Sequence, residues 1–221
     1  VKVPFPKPRM SDLENALVAA NKSGADVLML IQFGEDMATA LNIAYKMGLK
    51  DKMSIVVPNL TLGMAKSAGA GVMENVVGAV PWCWQIPYLY GFERGKQFVE
   101  KFTERFLQHP SSAATSAYNI VYEFKGAVER AGSTNTEKLI EALEDHTYTG
   151  LKDPQTWRGF DHQSVQSVYV VRGKQREAVL ADKYNEDYFE VLLTIPGSTA
   201  AKSYEEWTAT RKAAGKPIRL Q

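Results

Sequence analysis

Apolar positions in the first third of the chain alternate between two patterns, which together predict helices and strands in turn. Leu13, Ala16, Leu17 and Ala20 stand at i, i+3, i+4 and i+7, one stripe of a helix that Gly24 closes. Ser11 and Glu14 at its start read as a capping box, hydroxyl and carboxylate each satisfying a free amide of the first turn. Val27-Leu28-Met29-Leu30-Ile31 then runs apolar without alternation, which predicts a central strand covered on both faces. A second stripe, Met37, Leu41, Ala44 and Met47, ends at Gly48 and predicts another helix. Met53 to Val57 predicts another buried strand, followed by a short helix from about Thr61 to Ser67. Helix, strand, helix, strand, helix is the order of a parallel sheet with helical crossovers. Ligands of such sheets sit beyond the carboxyl ends of the strands, which puts Gln32-Phe33-Gly34 and Pro58-Asn59 at the binding edge.

The pattern changes after Glu74. A short strand-like run leads into Pro81-Trp82-Cys83-Trp84-Gln85 and Pro87, a stiff aromatic crossing where a lobe boundary is expected. Phe92, Phe98, Val99, Phe102 and Phe106 share one face of a long helix that His109-Pro110 stops. Tyr118, Val121, Tyr122 and Val128 stripe a second helix closed by Gly132, and a third is expected from about Thr136 to Glu144. Ser164 to Val171 and Tyr188 to Ile195 read as strands separated by a polar loop from Arg172 to Asp187. Tyr204 to Ala214 reads as a last surface helix.

Composition narrows the functions open to such a fold. A 45% hydrophobic content over 221 residues supports a substantial core, at a length between one domain and two. Basic and acidic residues number 26 and 25 and are scattered, so no nucleic-acid partner is expected. Cys83 is the single cysteine and cannot form an internal disulfide; His109, His146 and His162 lie too far apart for a metal-ligand spacing, and no cofactor is expected. Val27 to Ile31, the longest apolar run, is far shorter than the ~20 residues a membrane helix needs. Glycine-rich nucleotide loops and a His-Glu-x-x-His pattern are absent. Asp161-His162 has acid–base potential, but without a nucleophile at a recognisable elbow it reads as turn chemistry. The opening Val1-Lys2-Val3-Pro4-Phe5-Pro6 has no initiator methionine and no leader, as in a processed protein or a piece of a longer one.

Several segments form a specific set: Gly24-Ala25-Asp26 before an apolar strand, the loop Gln32-Phe33-Gly34, and a helix ending Lys46-Met47-Gly48-Leu49. Ser112-Ala113-Ala114-Thr115-Ser116-Ala117-Tyr118 leads a helix that ends Arg130-Ala131-Gly132-Ser133. Gly150-Leu151, Arg158-Gly159-Phe160-Asp161-His162-Gln163 and Tyr188-Phe189-Glu190-Val191 extend the set. With these residues the chain resembles the branched-chain amino acid and amide receptors of ABC importers, the type I periplasmic binding proteins. Trp82-Cys83-Trp84 and Tyr188 to Gly197 further resemble the branch that takes up aromatic acids. The resemblance covers nearly the whole chain but only the second part of the family, so a C-terminal portion of a longer protein is expected. It implies an α/β fold of two lobes, each a parallel sheet with helices on both faces, joined by three crossings around a hinged cleft. Residues 1–80 are then part of lobe two, 81–150 helices of lobe one after a hinge crossing, and 151–221 the last crossing, return strands and tail. An exposed apolar patch is expected where the missing lobe, or a second copy, packs.

The same resemblance implies a non-enzymatic solute receptor, periplasmic or extracellular, that captures a small carboxylate, aromatic acid, amino acid or amide for ABC permease subunits. A cytoplasmic amide sensor of the same fold and an α/β enzyme fragment using Asp161 and His162 are the alternatives. A receptor needs aromatic walls and a few placed donors, with no reactive group. Phe33 falls where the family places an aromatic on the ligand, flanked by Gln32 and Gly34; ordinary core packing is its other reading. Asn59 falls where amino-acid-binding members carry a carboxylate for the ligand ammonium. A neutral amide cannot neutralise a buried ammonium, which favours a carboxylate, amide or aromatic acid over an α-amino acid, unless Asn59 only caps the helix near Thr61. Trp82 and Trp84 alternate on an extended crossing, so at most one faces the cleft, and Trp84 is the candidate. Tyr118 either offers its hydroxyl to the cleft or packs structurally.

Overall fold

The structure is a computed structural model that describes residues 1–220. Its first helix, α1 (Met10–Lys22), starts at Arg9 as N-cap rather than at Ser11. The Asp12 carboxylate accepts the Arg9 backbone N–H at 3.0 Å and its guanidinium at 2.9 Å, so the capping box is Arg9 with Asp12, and Ser11 lies inside the first turn. Along the chain follow β1 (Val27–Met29), α2 (Gly34–Lys46), β2 (Ser54–Val57), α3 (Leu62–Ala68), α4 (Ala70–Met73) and β3 (Val77–Val80). The α2 stripe Met37, Leu41 and Ala44 is buried, and the three strands are parallel, with Val27 opposite Ser54 and Val57 opposite Gly78. Two helices end as their glycines predict: Gly48 and Gly132 both adopt positive φ.

A helical block comes next: α5 (Ile86–Tyr90), α6 (Glu93–Phe106), α7 (Ser112–Ala131) and α8 (Thr136–Leu143). Beyond it, β4 (Thr147–Tyr148), β5 (Gln155–Trp157) and β6 (Ser164–Val165) form a small antiparallel sheet; β6 is the start of the strand expected over Ser164 to Val171, whereas the sequence pattern misses β4 and β5 because strands of two or three residues are too short to show alternation. The chain then returns to the first sheet through β7 (Val168–Gly173), α9 (Arg176–Ala181) and β8 (Phe189–Ile195). β7 runs antiparallel to β3, Val80 facing Tyr169, and β8 antiparallel to β7, giving the five-stranded order β1-β2-β3-β7-β8. Helix α9 lies where a polar loop was expected; its one buried residue, Val179, is too little to make a stripe. Two short elements close the chain, α10 (Gly197–Ala200) and α11 (Tyr204–Ala213), the latter with a capping box of Ser203 and Glu206.

Two faces depart from the sequence reading. β1 is an edge strand rather than a central one: it pairs with β2 alone among the described residues, and Val27, Met29 and Ile31 are open, Ile31 to 80%. α7 is turned over. Its Ser112, Thr115, Asn119, Glu123 and Ala127 are buried against the rest of the chain, while Val121 and Tyr122 of the apolar stripe, and Phe124 beyond it, are exposed. On that buried face Glu123 accepts the Trp157 indole N–H at 3.2 Å from the small sheet. An edge strand with an open apolar face is a template for pairing. The chain is therefore expected to self-associate, with light scattering after size exclusion giving more than the monomer mass and Val27→Lys with Met29→Lys restoring the monomer. A parent chain that elutes as a monomer would count against a sticky edge.

Candidate functional site

Because β1, β2 and β3 are parallel, the segments that follow them lie at one carboxyl edge of the sheet: Gln32-Phe33-Gly34, Pro58-Asn59 and Pro81-Trp82. Phe33 is not core. It caps α2 with an extended backbone and is 50% exposed. Asn59 is exposed as well, and it does not cap α3: Thr61 does, its hydroxyl accepting the Met64 N–H at 3.2 Å. Gln32 is half-buried, with a side-chain oxygen that has no partner, and it lines an apolar groove of about 450 Å³ between α1, β1 and the first residues of the chain. Gly34 opens α2 beside it.

The third of these segments forms one wall of a groove of about 390 Å³. Pro81 and Trp82 face the first turns of α7, with Thr115 and Asn119, and the small sheet with Tyr148 and Gln155. Trp82 is 3% exposed, packs edge-on against Phe98 at 6.2 Å, and has an indole N–H without an acceptor. Gln155 is equally buried at 3%; its side-chain oxygen accepts the Tyr148 hydroxyl at 3.3 Å, and its amide nitrogen has no acceptor. Lys152 completes the wall. Its ammonium, in a residue 2% exposed, donates to the carbonyls of Pro81 at 2.8 Å and Ser167 at 2.6 Å and lies over the Tyr169 ring at 5.1 Å. Burial pulls it down to about 8, against the opposing pull of Asp153. Asp153 is itself engaged, accepting the Ser167 hydroxyl at 2.6 Å and the Tyr169 hydroxyl at 2.8 Å, and burial together with that bond pushes the Tyr169 phenol up.

The remaining predicted residues lie elsewhere. Trp84 does not line the Trp82 groove; it stacks on His109 at 4.0 Å, edge-on to Tyr88. Tyr118 packs between Phe98 at 5.0 Å and Tyr122 at 4.6 Å, with the Arg94 guanidinium 3.4 Å from its hydroxyl. Asp161 is held by Arg158 at 2.8 and 2.5 Å, whose hydrogen bonds keep its carboxyl below the usual range, whereas His162 meets Glu144 at 2.9 Å. The two are bound to separate partners. Among the described residues no group of three His, Cys, Asp or Glu side chains could hold a metal ion, and no helix is long and apolar enough to cross a membrane. Burial pushes the Cys83 thiol up to about 12, far from a reactive thiolate. Lys152 and Gln155 carried no signal in the sequence; Trp82 did, as the neighbour of the tryptophan chosen.

The family model for periplasmic binding proteins matches residues 1–178. The chain belongs to that family. No curated protein matches it. Among solved binding proteins, one from Burkholderia mallei is similar at 23% identity and a TM-score of 0.77, over 89% of this chain and 50% of its own. A branched-chain amino acid ABC transporter periplasmic ligand-binding protein from Burkholderia xenovorans is 24% identical, with a TM-score of 0.74, over 93% of this chain and 52% of its own. An ABC transporter solute-binding protein from Rhodopseudomonas palustris, solved with 3,4-dihydroxybenzoic acid, is 16% identical, with a TM-score of 0.67, over 89% of this chain and 51% of its own. This member of the periplasmic binding protein family thus has the expected α/β fold and spans about half the length of the solved structures it matches.

Proposed function

We propose that the chain is the C-terminal portion of a solute receptor that works outside the cytoplasm and hands a small carboxylate, aromatic acids foremost, to the permease of an ABC importer. One observation carries the reading: Phe33 and Asn59 are both exposed on adjacent loops at the carboxyl edge of parallel strands, the edge where such sheets bind ligands. An open aromatic ring provides a wall, and a neutral amide at Asn59 accepts an uncharged or anionic group more readily than a buried ammonium. The return of β7 and β8 to the sheet of β1–β3 supports one lobe built from residues 1–80 and the late strands, with α6–α8 belonging to the other. Its role is capture rather than catalysis; Asp161 and His162, paired with Arg158 and Glu144, form no dyad. The opposite wall of the cleft then comes from the rest of the protein.

A thermal-shift series on the full-length protein tests this, with benzoate, 3,4-dihydroxybenzoate, leucine and acetamide as solutes. A ligand at 100 times its dissociation constant adds about 2.7 kcal/mol of stability, a rise of several degrees in melting temperature. The expected result is a rise with the aromatic acids that Phe33→Ala and Asn59→Ala each reduce. No rise with any solute, or one indifferent to both substitutions, removes the reading.

A further inference from the structure

The geometry points to the groove between α7 and the small β4–β5–β6 sheet as a carboxylate subsite, in which the Trp82 indole N–H, the Gln155 amide N–H and the Lys152 ammonium take the two oxygens of an anionic ligand. It deepens the receptor reading and rests on it. Trp82 and Gln155 are each nine-tenths or more buried, and each has a donor with no acceptor among the described residues. Buried donors are almost always satisfied, so two unpaired ones on side chains that line a single cavity mark a place where an acceptor belongs. An indole nitrogen only donates, and the Gln155 oxygen accepts the Tyr148 hydroxyl, which leaves the amide N–H as its unpartnered group among the described residues.

Lys152 fixes the charge. Its ammonium is buried with two backbone carbonyls as partners and, among the described residues, no carboxylate within ion-pairing distance, which leaves one N–H and a full positive charge beside the groove. A buried cation held only by neutral dipoles gains most from an incoming anion. The charged and titratable neighbours do not fill that place. Asp153 is taken by Ser167 and Tyr169, and Glu123 of α7 by the Trp157 indole N–H, with His146 at 3.6 Å. Tyr148, raised by burial, and the protonated Cys83 bring no negative charge. The groove's volume of about 390 Å³ suits a ligand the size of a substituted benzoate, and Trp82, Pro81 and Trp157 offer it apolar walls.

Calorimetric titration of the full-length protein with benzoate and with its neutral isostere benzamide tests the subsite. Trp82→Phe keeps the ring packing and removes the donor, so benzoate affinity is expected to fall roughly tenfold while benzamide changes little. Gln155→Glu keeps the shape, replaces the donor with an anion, and is expected to abolish benzoate binding. Affinity should also fall by about tenfold for each pH unit above the value of about 8 at which Lys152 loses its proton. Circular dichroism on both variants shows that they are folded. Benzoate that binds the parent and responds to Phe33→Ala, but not to Trp82→Phe or Gln155→Glu, overturns the subsite and leaves the receptor reading in place. Equal losses of benzoate and benzamide also overturn it, since packing rather than charge then decides, and no binding of benzoate by the parent sinks it outright.

Discussion

Replacing Gly173 with alanine is expected to cost about 3 kcal/mol or more, shown by a lower urea midpoint and a melting temperature reduced by roughly 6–12 °C. Gly173 ends β7 where the chain presses against the turn after α4. A Cβ there would overlap the backbone carbonyl of Met73. Nor can the strand back away, because the Gly173 N–H donates to the Val76 carbonyl at 2.8 Å and its own carbonyl accepts the Asn75 N–H at 2.9 Å. The clash is with backbone on one side and hydrogen-bonded backbone on the other, so relief requires breaking β7 from β3. Alanine at Gly71, whose Cβ would meet only the Arg176 side chain at 3.7 Å, is the control expected to stay within about 0.5 kcal/mol of the parent. A Gly173→Ala protein with the same midpoint as the parent would show that the joint is looser than drawn.

Glu186→Ala is expected to destabilise by about 2–4 kcal/mol. Glu186 is buried in the segment between α9 and β8. One carboxylate oxygen pairs with Lys66 of α3 and the other accepts the His109 backbone N–H at 2.6 Å, so a single side chain joins the sheet half to the segment between α6 and α7. Truncation leaves a backbone donor without its acceptor. Lys66 is partly exposed and can turn to water, so the larger share of the loss belongs to His109. Glu186→Gln, which keeps an acceptor and removes the charge, should recover more than half of the loss in urea denaturation; equal losses for both variants would assign the effect to the ion pair. Asp182 beside it adds a pH signature. Burial pushes its carboxyl up, but the N–H groups of Glu186 and Tyr184 and the His109 ring outweigh this and hold it below its ordinary value of 3.8. The folded state therefore binds this proton less readily than the unfolded chain, and stability is lost as pH falls below about 4 through the lowered value.

The elements whose environment lies within this chain were legible from its sequence. Leu13 with Leu17, and Met37 with Leu41 and Ala44, point at the sheet they were expected to cover. Misreadings arose where nothing among the described residues covers an apolar face. Val27 to Ile31 carries the composition of a strand buried on both faces, yet nothing among the described residues covers the far side of β1. Val121 and Tyr122 of the α7 stripe are equally open, while the face of α7 that packs carries serine, threonine, asparagine and glutamate, residues that periodicity counts as surface. The site divided in the same way. Phe33 and Asn59 sit on loops that strand order alone places at the carboxyl edge. Lys152 and Gln155 sit where tertiary folding brings a lysine and a glutamine inward, and no spacing announces that. Trp82 and Trp84 differ by which side of the crossing meets Phe98 and which meets His109.

The chain leaves the five-stranded sheet for the helical block at Pro81 and returns to it at Ser167, and Lys152 grips the carbonyl of each with one ammonium. Two connectors fastened at a common pin resist sliding past each other but still twist about it. Any relative motion of sheet and block is therefore expected to pivot there, with least travel at Lys152 and most at Phe33 and the far loops, so that an oxygen held in the proposed subsite would keep its place while the rest of the mouth moves.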